Sequence, residues 1–189
     1  DYAQIPQDPA VYKTSQGAYT VGLFQIESRA QMSAIGRTKP ENFQELADQV
    51  ALIRPGPVSG EMVHPYIERK LGRQPVTYLH PSFESFLCKT FGVAIYQEQV
   101  MRIGMSVADL SGGEAEELRK AMGGKRADGI LARLKSRLIE GMTKKGILPD
   151  IQTKILNILA TVREFMFPES HAHSFASLAY SSAHTRFHF

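Results

Sequence analysis

"SGGEAEELRKAMGGKRADGILARLKSRLIEGMTK", residues 111–144, decides how the rest of the chain is read. Ser111 followed by Glu114 is a capping-box pattern, Ala115, Leu118, Ala121 and Met122 supply an apolar side, and Gly123 suits the C′ position. This places Arg119 and Lys120 in the last turns of a short helix. A second helix is expected from about Ala127 to Lys144, where Leu131, Leu134, Leu138 and Met142 line one face. Arg126, Arg133, Arg137 and Lys144 project together roughly 100 to 160° from that face, at about 100° per residue, and form a basic stripe. The glycines around Lys125 do not make a P-loop. Lys125 is followed by Arg126, and Arg119 stands where the first glycine of that motif would be.

Outward from this stretch the pattern stays helical. Phe43, Leu46, Ala47, Val50 and Ala51 follow one buried stripe, with Thr38 and Glu41 of "TKPE" expected as its cap. The "RPGP" at 54–57 should stop that helix as a stiff extended turn that holds Arg54 in place. Arg54 reads equally as a C-terminal helix residue facing the dipole. Ile151, Ile155, Ile158, Leu159 and Val162 mark a further amphipathic helix, and Phe175, Leu178 and Ala179 a last one. Strand-like runs at 17–26 and 93–97 add small β contributions to a mainly α fold with no internal repeat.

Composition narrows the function. With 189 residues, 43% hydrophobic and 22% charged, the chain can bury a core. The single Cys88 excludes an internal disulfide framework and a cysteine-rich zinc site, so a reducing, cytoplasmic setting is expected. No run of eighteen apolar residues would span a membrane. The polar opening "DYAQIPQDPAVYK" reads as a sequence entered in mid-course, so a fragment of a longer protein is expected. Net charge is only +3, yet Leu118 to Lys145 holds nine Lys or Arg against Asp128 and Glu140. Extending that window back to Glu114 adds three glutamates and lowers its charge from +7 to +4. A local polyanion contact and a solvated basic face both fit.

Catalytic chemistry is poorly represented. Four of the six histidines fall in the last nineteen residues, but His171 and His173 would point about 200° apart on a helix, and no H-E-x-x-H pattern occurs. Ser170 beside His171 is no triad, and no Gly-x-Ser-x-Gly elbow exists. The six aspartates (residues 1, 8, 48, 109, 128 and 150) form no Asp-x-Asp pair of the kind that converges on magnesium. What is abundant are groups that meet phosphates: Arg54, Arg119, Lys120, Lys125, Arg126 and His171.

Five collinear segments then carry a resemblance: "GLFQIESRAQM" at 22–32, "ALIRPGP" at 51–57, "YQEQVMRI" at 96–103, "LRKAMGGK" at 118–125 and "FPESHAHSFASLAY" at 167–180. In this order and spacing the chain resembles the bacterial C-family DNA polymerases, the alpha subunits of DNA polymerase III and their error-prone relatives, over essentially its whole length. The resemblance implies a single helical fingers domain over 1–189 that closes on the incoming dNTP and on the DNA primer-template. It implies that Arg119 and His171 contact the triphosphate, with Arg54, Lys120, Lys125 and Ser170 as neighbours. Ser170 and Glu169 would orient the His171 ring, and Arg126, Arg133, Arg137 and Lys144 would follow DNA. It also implies that the catalytic aspartates and their Mg2+ belong to a palm in the remainder of the polymerase chain, so this segment has no catalytic or metal residues of its own. A sliding clamp and other replisome or repair subunits would be met through that remainder, and no membrane partner is implied. The chain departs from the family at Arg163 to Met166, where relatives have a glycine-containing stretch, and at His184, which stands at a tryptophan position; His173 has no family counterpart. Two other readings stay open: a free-standing helical nucleic-acid-binding module and a histidine-dependent metal hydrolase.

Overall fold

The computed structural model describes residues 7–17, 19–53, 59–121, 127–161 and 166–189. They are mainly helical, as expected, and contain no β-strand. Of the runs at 17–26 and 93–97 expected to be strand-like, residues 19–26 form turns and irregular chain, 93–95 are irregular chain, Tyr96 makes an isolated bridge and Gln97 already opens a helix. Short apolar runs do not distinguish a strand from a buried connection, and here Ile95 and Tyr96 are buried as the entry to a helix. The chain divides into two compact units, residues 1–75 with 167–189 and residues 76–166.

The first unit contains α1 (Pro9–Gln16), α2 (Arg29–Thr38), α3 (Phe43–Leu52), α4 (Ser59–Lys70) and, from the far end of the sequence, α10 (Glu169–His188). Helix α3 is its centre: Leu46, Ala47, Val50, Ala51 and Leu52 are buried. Its cap is not Thr38 but Asn42, whose Oδ1 accepts the Glu45 amide at 3.0 Å, while Glu45 Oε2 accepts the Glu41 amide at 2.8 Å. Thr38 is the last residue of α2 and is buried. Its hydroxyl donates to Gln49 Oε1, and Gln49 Nε2 in turn donates to Gln31 Oε1 at 2.7 Å. Helix α10 packs on α3 and α1 through Ala172, Ala176, Ala179, Tyr180 and Ala183. Leu178, expected on the buried face, is 51% exposed. The side facing α3 is the alanine stripe, which allows closer approach of two backbones than leucine would.

The second unit starts with two 3₁₀ turns, Pro81–Phe83 and Cys88–Thr90, flanking α5 (Glu84–Leu87). Then follow α6 (Gln97–Ala108), α7 (Gly112–Ala121), α8 (Ala127–Lys144) and α9 (Pro149–Thr161). Helices α6, α7 and α8 pack pairwise around Val100, Ile103, Leu118, Leu134, Leu138 and Met142. The close fit of α8 on α6 depends on Gly141, where a Cβ would sit 2.4 Å from the carbonyl oxygen of Ala108. Buried Gln99 ties the entry of α6 to the chain before it. Its Oε1 accepts the amides of Ile95 and Tyr96 at 2.8 and 3.0 Å, and its Nε2 donates to Thr90 Oγ1 at 2.8 Å and Phe86 O at 3.1 Å.

Candidate functional site

Helix α7 begins as its sequence indicates. Ser111 Oγ accepts the Glu114 amide at 3.3 Å, and Glu114 Oε2 accepts the Ser111 amide at 2.7 Å, a bond that holds the Glu114 carboxyl below the usual range. With Ala115, Leu118 and Ala121 turned into the core, Glu116, Arg119 and Lys120 are left outside it. The Arg119 guanidinium is fixed by a fork: Nε donates to Glu116 Oε2 at 2.8 Å and Nη2 to Oε1 at 2.6 Å. Its Nη1 donates to Gln97 Oε1 at 3.3 Å, and Gln97 Nε2 donates to Met166 O at 3.3 Å. The Arg119 side chain is 35% exposed, so part of the fork faces solvent. These bonds lower the Glu116 carboxyl and raise Arg119, both chiefly by the hydrogen bonds they share. Each terminal nitrogen keeps one further N–H for a ligand, since an arginine carries five donors. Lys120 Nζ lies 3.8 Å from the same Glu116 and is mostly exposed.

The described residues of the basic stripe, Arg133, Arg137 and Lys144, are paired with carboxylates. Arg133 bonds Glu117, Arg137 bonds Glu114 at 3.2 Å and the Asp109 carbonyl at 3.2 Å, and Lys144 bonds Glu140 at 2.6 Å. The glutamates that lower the local charge in the sequence are therefore the partners of the arginines. Arg54, Lys125 and Arg126 lie outside the described residues, as do Met122, Gly123, Val162, 163–165 and the "RPGP" turn.

His171 belongs to the first unit, in the first turn of α10. Its exposed imidazole stacks on Phe167, with ring centroids 5.2 Å apart and planes 20° apart, and lies 4.1 Å from the Phe175 ring. Aromatic packing by Phe167 and Phe175 thus helps to hold the ring. Ser170 is exposed, and its carbonyl accepts the Ser174 hydroxyl at 3.0 Å. His173, two residues on, turns the other way, with Nε2 3.2 Å from Gln44 Oε1 and its ring 5.8 Å from Phe43. His184 packs between Tyr180 and His188, and His188 Nε2 lies 3.4 Å from Asp8. Sequence reasoning missed Gln97, Glu116, Phe167 and Phe175, although Gln97 stands in the family segment 96–103 and Glu116 is three residues before Arg119 on one helix.

Among the described residues no group of three His, Cys, Asp or Glu side chains could hold a metal ion, and no helix is long and apolar enough to cross a membrane. Comparison with known proteins adds the family. At 44% identity over 189 residues the chain is similar to the error-prone DNA polymerase of Vibrio campbellii, covering all of this chain and 18% of that protein. It is 46% identical over 186 residues to error-prone DNA polymerase 1 of Agrobacterium fabrum, covering 98% of this chain and 17% of the relative. To the error-prone DNA polymerase of Nocardia farcinica it is 46% identical over 183 residues, covering 96% and 16%. The chain spans less than a fifth of the length of these relatives. Residues 1–146 match the family described as the bacterial DNA polymerase III alpha subunit finger domain, and to that family the chain belongs.

Proposed function

We propose that this chain forms the fingers of a bacterial error-prone DNA polymerase, a nucleotidyltransferase that extends a primer on a DNA template. The observation that carries the reading is the match over residues 1–146, which takes in the helix presenting Arg119. Arg119 is braced before any ligand arrives: Glu116 and Gln97 hold the guanidinium in one orientation, which removes rotamer freedom that binding would otherwise have to remove. The remaining N–H groups would donate to triphosphate oxygens, and Lys120 would add charge beside them. His171, at the amino end of α10, would meet phosphate with the help of the helix dipole. The described residues do not fit a divalent-metal site. In this reading Mg2+ is held by carboxylates elsewhere in the polymerase, and this chain supplies positioning and charge to the dNTP and the primer-template. The polymerase would work in the cytoplasm, with a sliding clamp reached through other regions.

The test is Arg119→Ala in a complete polymerase containing this chain. Loss of charge-assisted hydrogen bonds should lower kcat/KM for dNTP about 10- to 100-fold. Primer-extension kinetics equal to those of the wild type would remove Arg119 from the site.

A further inference from the structure

The described cations of the α8 stripe are matched by carboxylates, but in another cluster two cations are not. Between α2 and α4 lies a groove of about 420 Å³ lined by Arg37, Lys39, His64, Glu68 and Arg73, together with Gly36, Ile67 and Leu71. A second hollow of about 370 Å³ adjoins it and shares Arg37 and His64. Among the described residues Glu68 is the one carboxylate on the lining, and it is bonded to Arg73 at 3.1 Å. Nearby Glu45 is held by Lys70 at 2.6 Å, and Lys70 also donates to the Lys39 carbonyl at 2.7 Å. The left-handed backbone of Lys39, φ 44°, caps α2 and sets its side chain beside the groove. Arg37 and Lys39 are exposed, and neither side chain has an ion-pair partner among the described residues. His64, also exposed, is shared by both hollows.

We infer that this groove is a docking site for a nucleic-acid phosphodiester backbone, gripped by Arg37 and Lys39 and flanked by His64 and Arg73. Two unpaired cations on an open hollow, with Arg73 and His64 beside them, suit a polyanion, which releases counterions from each phosphate it brings. The inference rests on the reading that this chain handles DNA and is independent of the roles given to Arg119 and His171.

The chain itself is titrated with a fluorescent single-stranded oligonucleotide, by anisotropy, between about 50 and 200 mM salt. The double variant R37Q/K39Q should reduce the slope of log K against log salt by about 1 to 1.5, at about 0.7 for each phosphate no longer neutralised. A charge-matched control, K135Q/K154Q, should keep the wild-type slope. H64Q should weaken binding with less effect on the slope. An equal fall in slope in the control would show bulk charge and overturn the proposal. So would an unchanged slope in R37Q/K39Q, including one accompanied by lower thermal stability, which would mean that the two cations serve only the helix ends. Failure of the wild-type chain to bind the oligonucleotide overturns it as well. Competing dNTP separates the two sources of phosphate: displacement at equimolar nucleotide would assign the groove to free triphosphate. Arg119→Ala should leave the R37Q/K39Q effect intact, so failure of the nucleotide reading and failure of this one give different results.

Discussion

A single side chain can be decisive where it answers several buried groups at once. Gln99 answers four, two as acceptor and two as donor, and is almost wholly buried. Gln99→Leu keeps its approximate volume but removes the bonds to two amides and the Phe86 carbonyl, while Thr90 Oγ1 still bonds the Val93 carbonyl at 2.6 Å; a buried polar group left unsatisfied costs about 1–3 kcal/mol. The variant should lose at least about 3 kcal/mol in urea unfolding of the chain; a drop of less than about 1 kcal/mol would mean that water replaces the amide. Tyr66→Phe should cost less. Tyr66 donates to buried Asp48 at 2.9 Å, and burial, with Asp48 beside it, pushes its hydroxyl well above the ordinary range. Asp48 keeps the Gln44 amide at 2.9 Å, so about 1–2 kcal/mol is expected from removing the tyrosine bond. Neither role could be read from sequence, because buried glutamines and exposed ones look alike until their partners are known. The Arg119 fork was only half legible. The arginine stands in a family motif, whereas Glu116 is one of three glutamates with nothing in the sequence to single it out.

For whole elements, sequence patterns succeeded where a local rule was sufficient. The α7 capping box and the span of α8 need only neighbours a few residues apart, and both appear as read. The cap of α3 was misplaced because Thr38 and Asn42 both suit the role, and only the packing of α2 on α3 takes Thr38 into the core. Acid should expose the α7 box. Glu114 titrates below its ordinary value when folded, so its stabilisation is complete above that value, about pH 4.5, and is lost as pH falls through the depressed one. Glu116 contributes with the same sign. Unfolding midpoints should therefore be flat from about pH 7 to about 5 and fall below it, less steeply in Glu114→Gln, which already lacks the charge. Gly141 was passed over, since a glycine inside a helix pattern offers no hint of what crosses it. Gly141→Ala gains about 1 kcal/mol of helix propensity but drives a methyl into the Ala108 backbone. A net loss of about 2 kcal/mol or more is expected by thermal unfolding; a more stable variant would refute the close crossing of α6 and α8.

Across the whole molecule, the order of the chain and the order of the packing part company. The first unit is built from residues 1–75 and completed by 167–189, so α10 must return across more than ninety residues of sequence to cover α3 and α1. No periodicity announces this. The alanines at 172, 176, 179 and 183 recur at helical spacing, but alanine is also the commonest helix former, and Leu178 and Phe175 gave the stronger apolar signal. The return bears on the proposed function, because His171 lies on the same helix whose alanine face closes the unit. Its place therefore depends on helices from the opening third of the sequence. Additional bonds reach back along the same helix: Tyr180 OH accepts the Asp8 amide at 2.8 Å, Ser182 Oγ accepts the Phe24 amide at 3.1 Å, and Arg186 donates to the Val21 carbonyl at 2.8 Å. Ending the chain after Met166 removes all of these and bares the buried side of α3. Amides of α3 should then lose hydrogen-exchange protection by about two orders of magnitude or more, while those of α6, α7 and α8, whose packing lies within 76–166, keep theirs. Ala176→Leu is the milder probe, since added bulk on the close face should loosen α3 without removing any of the three bonds. If α3 stays protected in both variants, the alanine face does not hold the unit together, and the position of His171 must be set by something other than the return of α10.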